Sequence, residues 1–175
     1  FYNAVTFYNA DGVFGYVEAI FDKAIPLNLQ KREYYFSTLG ETGTEAEAYF
    51  TTNAIIKASI IKSERMPFDP DYGLTGGEDV HLFERLYKKG AKFVNCKEAI
   101  SYEFIPKERG TKRYIYKRAL QGGQSFVRRQ LENNKRFNYK LLIFIKALII
   151  ICLSIILYTV GLFSINNRII SIKKF

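Results

Sequence analysis

The feature that most limits what this chain can become is the run Ala147–Ile165, nineteen residues without a single charge. About twenty consecutive apolar residues are needed to span a bilayer. The run lengthens to residues 141–165 if Lys146 is tolerated, and a lysine near the end of a span can snorkel to the headgroups. A buried hairpin of core helices is the competing reading. A membrane span is favoured over it, because a domain this small has little room for a helix that is apolar on every side. Arg128, Arg129, Lys135, Arg136, Lys140 and Lys146 precede the run, whereas only Arg168, Lys173 and Lys174 follow it. The positive-inside bias places the N-terminal side in the cytoplasm. The expectation is a single-pass membrane protein with a large cytoplasmic portion, a span at 141–165 and a basic tail at 166–175.

The remaining residues are enough for one domain with a core, since the chain has 175 residues and 48 % of them are apolar. A net charge of +9 points to an anionic partner: a membrane surface, a nucleotide or a nucleic acid. Cys96 and Cys152 have no metal-type spacing, and the apolar surroundings of Cys152 argue against a disulfide. The sequence starts at Phe1 without a basic-then-apolar leader, so a piece of a longer, processed or split protein is expected.

Strands are expected at Ala4–Tyr8 and Val13–Phe21, rich in β-branched and aromatic residues, with Asp11-Gly12 as a turn. Residues 23–48 are more polar and read as a surface segment. Strand-like material returns at Tyr49–Ile56, followed by a short helix over Lys57–Ser63. Thr75-Gly-Gly-Glu78 fits a capping box. After it, Val80, Phe83, Leu86 and Tyr87 recur on one helical face up to Gly90. "AKFVNCKEAISYEFI" is a strand ended by Pro106. A basic helical stretch follows, which Gly122-Gly123 is expected to interrupt or kink.

Two acidic pairs invite a chemical reading. Asp69 and Asp71 form D-x-D, a minimal signal for a divalent ion, but Pro70 and Gly73 mark the same residues as a turn. Glu78 and Asp79 open a helix, where acids complement the dipole. If Glu78 caps, Asp79 is left to face a cleft and take a proton from a hydroxyl. His81, the only histidine, reads as a surface residue. Tyr114 and Tyr116 among basic residues match a nucleic-acid stacking groove only weakly.

In order, "TTNAIIKAS", "FDPDYGLTGGED", "LFERLYKKGAKF" and "AISYEFIPKERGT" resemble the C-terminal half of inverting family-two glycosyltransferases. The likeness is to the branch with succinoglycan-type, cell-surface polysaccharide enzymes. It covers roughly residues 8–129, and the GGED stretch with its flanks is its most specific part. "ADGVFGYVEAIFD" is similar to the strand that enters that half. The resemblance implies an α/β fold: a partial GT-A domain over residues 1–135 that lacks the N-terminal donor-binding half. It implies a nucleotide-sugar donor, a lipid-linked or saccharide acceptor at a membrane, and inversion at the sugar carbon. Asp79 takes the place of the general base, with Glu78 beside it and Gly76 and Gly77 before it as substrate-binding loop. Asn53 is similar to the asparagine near the acceptor site, although Thr52 stands where glycine is usual. Arg109, Arg118 and Gly122 fit the basic stretch after the acceptor strand, and guanidinium forks suit a diphosphate. A divalent ion, Mg or Mn, is implied for the complete enzyme, with ligands outside this chain. Asp69-Pro-Asp71 falls in the loop before GGED and does not replace them. A separately encoded N-terminal half is an implied partner, and nucleic acid is not. The alternative is a non-catalytic membrane-bound remnant or subunit that binds a partner half or anionic lipid.

Overall fold

A computed structural model describes residues 1–73, 76–134 and 136–160, the last four by backbone alone. The chain divides into two compact units. One comprises residues 1–21 and 35–105; the other comprises 22–34 and the segment from 106 onward.

The first unit is mixed α/β, as expected. It holds helix α1 (Tyr2–Phe7), strand β1 (Gly12–Phe21), strand β2 (Ala54–Ile56), helix α2 (Ala58–Lys62), helix α3 (Glu78–Lys88) and strand β3 (Phe93–Ile105). The sheet order is β2-β1-β3, with β1 antiparallel to β2 and parallel to β3. Parallel neighbours need a long crossover, and here α3 lies in that crossover.

The first halves of β1 and β3 are covered on both faces. On one face Phe14 and Phe93 join Leu82, Phe83 and Leu86 of α3, with Leu39, Ala46 and Ala91. Phe14 sits 4.8–5.8 Å, centroid to centroid, from the rings of Tyr49, Phe50, Phe83 and Phe93. On the other face Val13, Val94 and Cys96 pack with Ala4 and Ala10. Burial on both faces gives the continuous apolar run "GVFG" in place of alternation.

Several expectations change. The segment read as a strand at Ala4–Tyr8 is the helix α1; its β-branched content yields to the packing of Ala4 against β1 and β3. The strand at Tyr49–Ile56 shortens to β2, because Tyr49 and Phe50 turn into the core beside Phe14. The segment 23–48 is not merely surface: Tyr34, Tyr35, Leu39 and Ala46 are buried within it. Its residues 43–46 also line β3, with Ala46 N–H donating to Phe93 O and Asn95 N–H to Thr44 O, both at 3.0 Å. On α3 the buried set is Leu82, Phe83 and Leu86, while Tyr87 is exposed.

The second unit contains two 3₁₀ turns (Leu27–Leu29 and Arg32–Tyr34), helix α4 (Lys112–Asn133) and helix α5 (Phe137–Val160). Thr111 caps α4, its Oγ1 accepting from Tyr114 N–H at 3.1 Å. Gly122-Gly123 does not interrupt α4, which is helical throughout. Residues Phe137–Ile156 of α5 are long and apolar enough to cross a membrane, and none of them is buried. The apolar helix therefore begins before residue 141. Residues 161–165 of the expected span and the basic tail 166–175 lie outside the described residues.

Candidate functional site

The two acids sit where the backbone turns sharply into α3. Gly76 (φ 74°) and Gly77 (φ 93°) are both left-handed, a conformation that L side chains rarely adopt. Gly77 is the residue before the helix and supplies no side-chain cap. Glu78 is thus the first helical residue, not the third residue of a capping box, and it complements the helix dipole from there. Thr75 lies outside the described residues.

Asp79 is oriented by two main-chain donors. Its Oδ1 accepts from Val80 N–H at 2.8 Å and its Oδ2 from Thr51 N–H at 3.3 Å. The second bond links α3 to the "TTN" segment, 28 residues earlier in the chain. Sequence reasoning missed Thr51, because a main-chain donor carries no side-chain signal.

Asn53 is buried and works inside the sheet. Its Nδ2 donates to Tyr16 O at 2.8 Å and to Ala99 O at 2.7 Å. These carbonyls flank an irregularity in the ladder, where Gly15 pairs with Cys96 but Tyr16 pairs with Ile100. Residues 97–99 have no register partner on β1, and the Asn53 amide donates to one carbonyl from each strand at this break. Gly15 makes room for it: a Cβ there would lie 2.4 Å from Asn53 Nδ2 and 2.3 Å from Ala99 O. Asn53 therefore ties the segment that carries Thr51, and through it Asp79, to β1 and β3.

Tyr49, just before this segment, is a neutral hydroxyl at physiological pH. Burial pushes its pKa up to about 12, with Tyr87, Glu45 and Glu84 adding to the rise. His81 is half-buried and stacked on the fully buried Tyr72, with centroids 4.6 Å apart and planes at 20°, rather than standing on the surface. Asp69 and Asp71 form a turn: Asp69 Oδ1 accepts from Asp71 N–H at 3.0 Å, beginning the 3₁₀ turn Pro70–Tyr72. Among the described residues, no three His, Cys, Asp or Glu side chains group in a way that would hold a metal ion.

In the second unit, Arg109 Nε donates to Tyr114 Oη at 3.0 Å, and its guanidinium lies 5.6 Å from the centre of that ring. Arg118 is exposed on α4. A Cβ on Gly122 would meet no atom within 4 Å. No protein-family model, curated protein or solved structure matches the chain.

Proposed function

We propose that this chain supplies the acceptor side of an inverting glycosyltransferase working at a membrane, in cell-surface polysaccharide or glycolipid synthesis. The observation that supports the reading most is the carboxylate of Asp79. It stands at the start of α3 behind two left-handed glycines, and two main-chain N–H groups fix its orientation. A carboxylate held this way can remove the proton from an acceptor hydroxyl while that oxygen attacks the anomeric carbon of a nucleotide sugar. The nucleoside diphosphate leaves on the opposite face, which inverts the configuration. Glu78 complements the helix dipole, and Asn53 holds the segment that donates to Asp79. Arg109 and Arg118 are the candidates for the diphosphate, matched to it by charge and fork geometry. α5 anchors the chain in one pass with the basic side cytoplasmic, so that the acceptor is membrane-borne.

The test uses membranes that contain the chain together with the donor-binding half it is proposed to complete, supplied in turn with radiolabelled nucleotide sugars. Protein-dependent passage of label into the lipid or polysaccharide fraction, with inverted anomeric configuration in the product, is expected. A product with retained configuration, or label that stays on the nucleotide with every donor, would contradict the proposal.

A further inference from the structure

Helix α4 carries a surface outside the residues proposed for sugar transfer. Arg113, Lys117, Leu120 and Gln124 follow at intervals of four, three and four, so they share one face, and all four are exposed. Leu120 keeps 68 % of its surface in contact with solvent. Ile115, Ser125 and Arg129 are instead buried. The helix has six cations and one acid, Glu132, which pairs with Arg128 at 3.1 Å. The outer face thus mixes cations with an exposed aliphatic side chain. Such a face suits the boundary between anionic headgroups and acyl chains.

The chain also shows what would cover it. α4 ends at Asn133 and α5 begins at Phe137, and the Tyr139 hydroxyl donates to the Gln130 side chain, tying the two helices together. With α5 inserted from Phe137, the C-terminal end of α4 is held at the headgroup level. A helix of 22 residues, about 33 Å long, then has its basic face within reach of the same leaflet. That is the cytoplasmic leaflet by the positive-inside bias, the one rich in anionic lipid.

We infer that α4 is an interfacial helix that docks on anionic phospholipid headgroups through Arg113 and Lys117, with Leu120 inserted between them. The inference rests on α5 as the membrane anchor and not on sugar transfer. Docking is an equilibrium of α4 at the surface of a chain already anchored. Each neutralised cation should lower the docked-to-undocked ratio about fivefold.

The chain contains no tryptophan, so Leu120→Trp gives a unique fluorescent reporter in the full chain. The variant is reconstituted in vesicles of phosphatidylcholine alone or of phosphatidylcholine with phosphatidylglycerol, with brominated acyl chains as quencher. Co-flotation reads the anchor; emission reads α4. The expected result is co-flotation with both vesicles, and a blue-shifted, quenched indole emission only with phosphatidylglycerol. Salt at about 1 M, where the Debye length is about 3 Å, should reverse the shift, as should Arg113→Gln with Lys117→Gln. Co-flotation with an unshifted, unquenched emission would overturn the inference and leave the anchor standing. A blue shift independent of lipid charge and salt would overturn it too, since α4 would then be packing on protein. No co-flotation with either vesicle would overturn both the inference and the anchor.

Discussion

The two halves of the β1–β3 ladder use the same strands and the same pairing but live in different surroundings. In the first half, residues 12–15 and 93–96 are buried without a break. In the second half, from Tyr16 and Ile100 onward, burial is incomplete, and along β3 it alternates. Val17 and Ile105 are buried, while Ile20, Ile100, Tyr102 and Phe104 are 49–68 % exposed. Glu18 pairs with Tyr102 and Ile20 with Phe104, so these residues share one face. The change falls at the ladder irregularity that Asn53 fills. Strand composition alone does not say which half is covered; α1 and α3 decide it by packing over the first half only.

The largest difference between the two halves is expected on truncating one phenylalanine in each. Phe14→Ala removes a ring in contact with four other aromatic rings and should cost about 3–5 kcal/mol. Phe104→Ala, in the open half, should stay within about 0.5 kcal/mol of the parent. Urea titration of the full chain in detergent, followed by near-ultraviolet circular dichroism, measures both. Equal costs would mean that the second half is covered as well.

At the junction itself, Asn53→Ala leaves the carbonyls of Tyr16 and Ala99 without their amide donor. Burying polar groups unpaired should cost about 1–3 kcal/mol. It should also release the Thr51 segment, which hydrogen exchange at residues 50–53 would report. Unchanged exchange there would contradict the role given to Asn53.

A smaller effect sharpens the covered half through pH. The Asp11 carboxyl is held below its ordinary value, first by the Lys92 N–H at 3.0 Å from Oδ2, and also by Lys57, whose Nζ lies 3.0 Å from Oδ1. A depressed carboxylate contributes stability that is fully present above its unfolded pKa, near 3.9, and is lost as pH falls through the lower folded value. Asp11→Asn should therefore cost about 1 kcal/mol at neutral pH. The gap from the parent should close as pH falls below about 4. A gap that is constant down to acid would show that Asp11 acts by shape and not by charge.

Local patterning made β1, α2, α3 and β3 legible, since "VFGYVEAIF" and "FVNCKEAISYEFI" carry strand composition and Phe83 and Leu86 carry the helical period. The apolar stretch of α5 was legible from composition. What was hidden depends on distant residues. α1 is helical because Ala4 meets Val13, Val94 and Cys96, and nothing in "AVTFY" announces that contact. Leu39 and Ala46 enter the core from a polar segment without a period. Of the site residues, Gly76, Gly77, Glu78 and Asp79 were readable as a turn into a helix. The bond from Thr51 to Asp79 and the position of Asn53 across the ladder were not, because both are made between segments far apart in sequence.

The proposed role of Asp79 as the acceptor base is tested by the transfer rate of Asp79→Asn beside that of Glu78→Gln, in the enzyme completed by its donor-binding half, with nucleotide-sugar affinity measured for each. Asparagine keeps the shape of the side chain but cannot accept the proton. A loss of about 10²- to 10⁴-fold is expected for Asp79→Asn, with donor affinity almost unchanged, and a much smaller loss for Glu78→Gln. Near-normal transfer by Asp79→Asn would contradict that role.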